Sequence, residues 1–319
     1  MSFLRAGILK SAWDLGTDMQ ARLALLSPEE QTKLSWARKI DSIDKVPIAF
    51  KRPFQTLVGD TAVLPYTVIT PSSASRVNRT KEKLVCILDG KVYVLEQTRD
   101  DVVVSCFPAG DVIHVQVGSV LLRSWIAIRG TTMGQGLSSA ELKFNTVTDY
   151  LFTPIIESMR PAADRVKGID VAQERAKFAY LRALNYKLMN YARRSIKSGE
   201  RVVQIVLQPE IRVAVLRLLG ISFSRTLCAP HISILTDKEL ILIEDGAGKR
   251  WGGDVRYGGI RNYISLGKIV SVSSAVTQYD LLTLSIHLPG GEHIDSLFSA
   301  TTKQELEELQ ARITAALSK

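Results

Sequence analysis

The chain is poor in the residues that most often carry chemistry. It has three cysteines and four histidines among 319 residues. Cys86, Cys106 and Cys228 each stand alone in or beside an apolar run, without Cys-x-x-Cys spacing. That excludes a disulfide framework and a metal knuckle, and it points to a reducing compartment. His114, His231, His287 and His293 are scattered over strand-like runs and turns, with no Cys, Asp or His neighbours at metal-ligand spacing, so they read as structural side chains. No Gly-x-Ser-x-Gly elbow, His-Glu-x-x-His helix or strand followed by Gly-x-Gly-x-x-Gly occurs. A protein without enzymatic activity, cofactor or metal is expected. Long apolar runs are missing too: none approaches the ~18 residues of a membrane span. Arg5, Lys10, Asp14 and Asp18 break up the N-terminal apolar stretch that a secretory leader needs. A soluble, cytoplasmic protein is expected.

What is present is core. Hydrophobic residues make up 46% of the chain, enough for roughly two domains of ~150 residues. The net charge is +9, and residues 151–200 alone carry +5 of it. The charge does not form a basic stripe interleaved with stacking aromatics, so nucleic acid is not an expected partner.

The most organised stretch lies in the second half. Ile232–Leu235 and Leu240–Ile243 are short β-rich runs around the polar turn Thr236-Asp-Lys-Glu239, which predicts a tight antiparallel hairpin. Further runs follow at Tyr263–Leu266, Ile269–Val272 and Leu281–Leu288, the last stopped by Pro289-Gly-Gly291. Thr302-Lys-Gln-Glu305 then has the form of a capping box. Behind it Leu306, Leu309, Ile313 and Leu317 share one helix face. The words LTDKELILIEDG, YISLGKIVSVS and LLTLSIHLPGGEHIDSLFSATTKQELEELQARI resemble the bacterial pleckstrin-homology-like (PH-like) and GRAM-type families over Arg201–Ser318. The resemblance implies an antiparallel meander closed by a C-terminal helix, and a protein-interaction or membrane-surface role.

The first half repeats the second. Arg52-Pro53 aligns with Gln208-Pro209, Ile87–Glu96 with Leu235–Glu244, Phe107–Val115 with Ile264–Val272, and Phe144 with Phe298, at offsets of 156, 148, 157 and 154. At that last offset Phe152, Ile155 and Met159 fall on Leu306, Leu309 and Ile313. Offsets that agree within a loop length predict an internal duplication. Thr153-Pro154 makes the first copy's helix short, starting at Pro154 and ending before Pro161.

Outside the two copies, the first forty residues read as helical, with Ser27-Pro28-Glu29-Glu30 opening a helix to about Ile40. Asp164–Ser198 reads as one connecting helix, with Phe178, Leu181, Leu184, Leu188 and Tyr191 on one side and Arg175, Arg182, Arg193 and Lys197 on the other. Those four cations make a candidate anion- or partner-binding face, although a solvated face explains them equally well. Near an acidic bilayer they contribute ~1 kcal/mol each, a dissociation constant near ~1 mM in sum. A second candidate is the glycine-rich loop from Gly246 to Gly259, where Lys249, Arg250, Trp251, Arg256 and Tyr257 combine backbone freedom with cations and rings. It is not a Walker A loop, because Arg250 stands where Ser or Thr must follow the lysine.

The expected fold is therefore α+β: two tandem PH-like antiparallel β-barrel or sandwich modules, each closed by a C-terminal helix, with N-terminal helices and a long connecting helix. The expected division is an N-terminal arm over 1–44, module one over 45–161, the connecting helix over 162–199 and module two over 200–319. The expected work is binding, on a protein partner as a scaffold. The alternative is peripheral attachment to acidic lipid head groups at the inner face of the membrane.

Overall fold

The computed structural model describes Ser27 and residues 35–59, 63–74, 79–98, 101–134, 136–162, 169–218, 221–246, 258–277 and 280–318. It opens with strand β1 (Arg38–Ile40) and helix α1 (Ile48–Val58). There follow β2 (Tyr66–Ile69), the short pair β3 (Ser73–Ala74) and β4 (Arg79–Thr80), β5 (Lys83–Leu88), β6 (Lys91–Gln97) and β7 (Val102–Pro108). A 3-10 turn at Ala109–Asp111 leads to β8 (Val112–Val120), β9 (Arg123–Thr132) and β10 (Gly136–Asn145). A 3-10 segment at Thr146–Phe152 then runs into α2 (Thr153–Met159). Three short helices come next: α3 (Val171–Ala176), α4 (Leu181–Leu184) and α5 (Tyr186–Ser195).

The second half repeats the order. It has β11 (Val202–Gln208), the hairpin β12 (Ile211–Leu218) and β13 (Ile221–Cys228), then β14 (His231–Thr236), β15 (Glu239–Asp245) and β16 (Gly258–Ser265). A 3-10 turn at Leu266–Lys268, strands β17 (Ser271–Val276), β18 (Leu282–Leu288) and β19 (Glu292–Phe298), a turn at Ala300–Thr302 and helix α6 (Lys303–Leu317) complete it.

Local chemistry explains the repeat. Between β5 and β6, Asp89 and Gly90 both take positive φ, 50° and 71°, the geometry that a two-residue hairpin turn demands. The corresponding turn between β14 and β15 is held by Thr236, whose hydroxyl accepts from the backbone of Lys238 at 3.2 Å and Glu239 at 3.0 Å. Phe152, Ile155 and Met159 are buried, as are Leu306, Leu309 and Ile313. Each such side chain contributes ~1.5–3 kcal/mol at most. One aligned pair does not correspond: Arg52-Pro53 lies inside α1, whereas Gln208 ends β11. Phe50, Phe54 and Val58 recur every four residues and bury against the sheet, and this stripe outweighs the hydrogen bond that Pro53 removes.

Strands β1-β2-β5-β6-β7 form one sheet. Its outer face carries α1, with Phe50 and Phe54 against Ile69, Leu84 and Leu95. Its inner face meets β8, β9 and β10 and the helix α2 across the main core. The larger sheet has the order β10-β9-β8-β16-β15-β14-β11. It crosses the boundary between the halves, because β8 pairs antiparallel with β16 from His114↔Ile264 to Val120↔Gly258. Helices α3 to α5 cover one face of its second half, with Leu188 and Met189 against Ile234 and Ile241. The third sheet, β17-β18-β19, and α6 cover the opposite face. Strand β14 is buried at all six positions and β15 over its first five. That explains why both read as continuous apolar runs rather than alternating ones.

Several expectations need correction. No closed barrel forms among the described residues; the sheets are open and stacked. Over the described residues 169–198 the expected connecting helix is three pieces, the last of which starts afresh because Asn185 takes an extended backbone (φ −156°, ψ 96°) and its side chain accepts from Leu188 N; residues 164–168 lie outside the described residues. Leu184 is consequently 65% exposed rather than part of the apolar face. The helix expected to reach Ile40 gives way to β1 by Arg38, and the rest of the N-terminal helical arm lies outside the described residues. The capping box at Thr302 is not made: no side-chain cap bond forms, and the Thr302 hydroxyl donates instead to Gln208 Oε1 at 3.0 Å.

Candidate functional site

Where the halves meet, a cleft of about 750 Å³ opens. Its floor is the sheet at Val117, Gly118 and Ser119 of β8 and Arg261 and Tyr263 of β16. One wall is the 3-10 segment and α2, through Tyr150, Ile156 and Glu157; the other is α3 and α5, through Arg175, Tyr191, Arg193 and Arg194. The close approach of sheet and wall depends on Gly259, where an added Cβ would lie 2.4 Å from Tyr191 Cε2.

Among the described residues, five arginines reach this cleft: Arg160, Arg175, Arg193, Arg194 and Arg261. Two carboxylates, Asp149 and Glu157, line it with them. Arg160 is already committed. Its guanidinium is buried, paired with Glu239, donates to Ser195 O at 2.7 Å and lies 4.1 Å from the centre of the Tyr263 ring. Glu200 stands 3.6 Å from the same guanidinium. Burial, and then the charge of Glu239, push the Glu200 carboxyl up to about 7.

The other four are available. Arg193 and Arg194 are exposed and make no ion pair among the described residues. Arg261 lies 5.5 Å from the centre of the Tyr191 ring, a cation–π contact that needs none of the guanidinium's hydrogen-bond donors. Arg175 donates to Ile196 O at 2.9 Å, and its buried Nε has no hydrogen-bond partner among the described residues. Such a constellation binds anions: at ~4 Å in a half-buried site, one unit charge gains ~4 kcal/mol from each facing cation before desolvation is counted, and forked guanidinium donors match phosphate and carboxylate oxygens.

The structure divides the residues singled out in sequence. Arg175 and Arg193 both reach the cleft. Arg182 is exposed and does not line it. Lys197 turns away, donating to Glu157 O at 3.2 Å and Pro161 O at 2.9 Å; burial lowers its amine, and Arg160 adds to the effect. Lys249, Arg250, Trp251, Arg256 and Tyr257 lie outside the described residues. Sequence reasoning missed Arg160, Arg194 and Arg261. No signal marks Arg261, a lone cation in a strand-like run; Arg194 could have been found as the neighbour of Arg193.

No helix among the described residues is long and apolar enough to cross a membrane. No protein-family model matches the chain, and no curated protein matches it in sequence.

Proposed function

We propose that the chain is a non-enzymatic binding protein made of two PH-like repeats of the bacterial PH and GRAM type, and that it works by holding an anionic group of a larger cytoplasmic partner between them. The observation that carries this reading is the convergence of Arg175, Arg193 and Arg194, from two helices of the segment that links the repeats, and Arg261, from the second repeat, on one cleft that Asp149 and Glu157 also line. The twice-repeated order of four main strands, a turn, three strands and a closing helix supports the family assignment.

A protein scaffold with acidic side chains and a membrane with acidic head groups both present the chemistry the cleft takes. Calorimetric titration with pyrophosphate tests the anion site. Binding by the wild type that is lost in Arg193→Glu/Arg194→Glu supports it, and no binding by the wild type refutes it.

A further inference from the structure

The turn between β8 and β9 is built from the wrong residues for a turn. Leu121 and Leu122 occupy it, 67% and 61% exposed. Leu121 has φ 53°, the left-handed region that suits glycine or asparagine and strains a branched aliphatic residue. The β5–β6 turn solves the same problem with Asp89-Gly90. Two leucines held out in water at a strained position contribute no core.

Their placement supplies a use. Thr146, which lines the arginine cleft, donates its hydroxyl to Leu121 O at 2.9 Å and its amide to Leu122 O at 3.0 Å. Thr146 also shares a 2.9 Å hydrogen bond with Ser124 Oγ. The turn is thereby latched to the rim of the cleft. Val147 and Tyr150 follow on the same segment, 50% and 66% exposed, and Arg123 flanks the leucines, exposed at the start of β9. An apolar prominence thus stands beside the exposed Arg193 and Arg194, which make no ion pair among the described residues, in a cleft that Asp149 and Glu157 also line. One surface has that complementary layout, an acyl boundary topped by a layer of negative head groups.

We infer that the Leu121–Leu122 turn and the arginine cleft form a single docking surface for an acidic lipid bilayer, with the leucines seated at the acyl boundary and a head-group phosphate among Arg193, Arg194 and Arg261. The inference rests on the anion-site reading above and adds the partner. The leucines supply what the cations lack, since charge alone holds weakly and fades with salt, whereas buried aliphatic area does not. Each leucine is expected to tighten vesicle binding by about tenfold.

The test is co-sedimentation of the full chain with phosphatidylcholine vesicles and with vesicles of phosphatidylcholine and phosphatidylserine, at low and at physiological salt, beside the pyrophosphate titration. The informative variant is Leu121→Asn/Leu122→Ser, whose asparagine suits the left-handed position, so the hairpin is kept; its melting curve is the control. Support is binding to acidic vesicles at physiological salt that falls by about a hundredfold in this variant while pyrophosphate binding stays intact. Pyrophosphate binding without vesicle binding overturns the bilayer and leaves the anion site to a soluble acidic partner. Vesicle binding indifferent to the leucines overturns the docking surface. Failure to bind pyrophosphate removes the site on which the inference stands.

Discussion

Arg160 and Glu239 come from opposite halves of the chain and meet where both are almost fully buried. Arg160 ends the helix that closes the first repeat; Glu239 opens β15, the second strand of the β14–β15 hairpin in the second. A buried pair of this kind is expensive to break from one side. Arg160→Met leaves Glu239 and Glu200 facing each other without their guanidinium, and a loss of ~3–5 kcal/mol is expected in urea denaturation at pH 7. The double variant Arg160→Met/Glu239→Leu should regain much of that, because apolar groups of similar volume commonly replace a buried pair without net loss. A single variant as stable as the wild type would show that the pair is dispensable.

Glu200 gives the protein an unusual pH response. Its folded carboxyl titrates at about 7, against an ordinary value of 4.5, so the folded state binds the proton more tightly than the unfolded one. That contribution is present in full below pH 4.5 and is lost as pH rises to about 7. His231 acts in reverse: burial holds it down at about 4 from an ordinary 6.5, so its contribution is present above pH 6.5 and lost as pH falls to about 4. The two slopes oppose each other where they overlap. Glu200→Gln removes one of them. Its stability relative to the wild type should grow between pH 4.5 and 7, by ~3 kcal/mol at most; a constant difference across that range would contradict the buried, protonated carboxyl.

The β8–β16 seam is open to a one-atom test. A Cβ at Gly258 would lie 2.4 Å from the carbonyl oxygen of Ser119, on the partner strand. Backbone cannot step aside as a side chain can, so Gly258→Ala should destabilise by ~1–3 kcal/mol. Gly267→Ala is the matched control, with open space around the added methyl and an expected change within ~0.5 kcal/mol. Equal melting temperatures for the two variants would mean that the seam is not closed in solution.

The start of α6 distinguishes two accounts of its cap. Gln208 Oε1 accepts from Ser299 N at 2.8 Å and from the Thr302 hydroxyl, and its Nε2 donates to Pro209 O at 2.9 Å. Gln208→Ala should therefore cost ~1–3 kcal/mol by stranding buried groups, while Glu305→Gln should stay within ~0.5 kcal/mol. The reverse ranking in thermal melts would restore the capping box.

Much of the second half was legible. Runs such as Leu240–Ile243 are long, apolar and bounded by turn residues, and the stripe Leu306, Leu309, Ile313 has helix spacing; both signals are local. The repeated order of elements was legible wherever spacing is set by a turn, as at Asp89-Gly90 and Thr236–Glu239, and the alignment misled at Arg52-Pro53, where resemblance rested on one proline. The site was far less legible. Arg175 and Arg193 were singled out on the premise of a continuous helix, yet Asn185 breaks that helix, and what brings α5 to Arg261 is its packing on the sheet, with Tyr191 5.5 Å from the guanidinium. Periodicity within a segment carries no information about which edge of a sheet another segment will join. Leu121 and Leu122 were not singled out, because an apolar pair between two β-rich runs reads as strand, and only the structure places a turn there.

The seam also sets a timetable for the chain's manufacture. Val120 and Gly258 pair across 138 residues, which a ribosome adding ~5–20 residues per second needs roughly 7–28 s to lay down. Throughout that interval the outer edge of β8 offers its unpaired amides and carbonyls to whatever strand is near. The arginine cleft comes into being only when β16 arrives, so a chain that stalls before Gly258 has half a binding site and an adhesive edge, and crowding of ribosomes on one message brings such edges together.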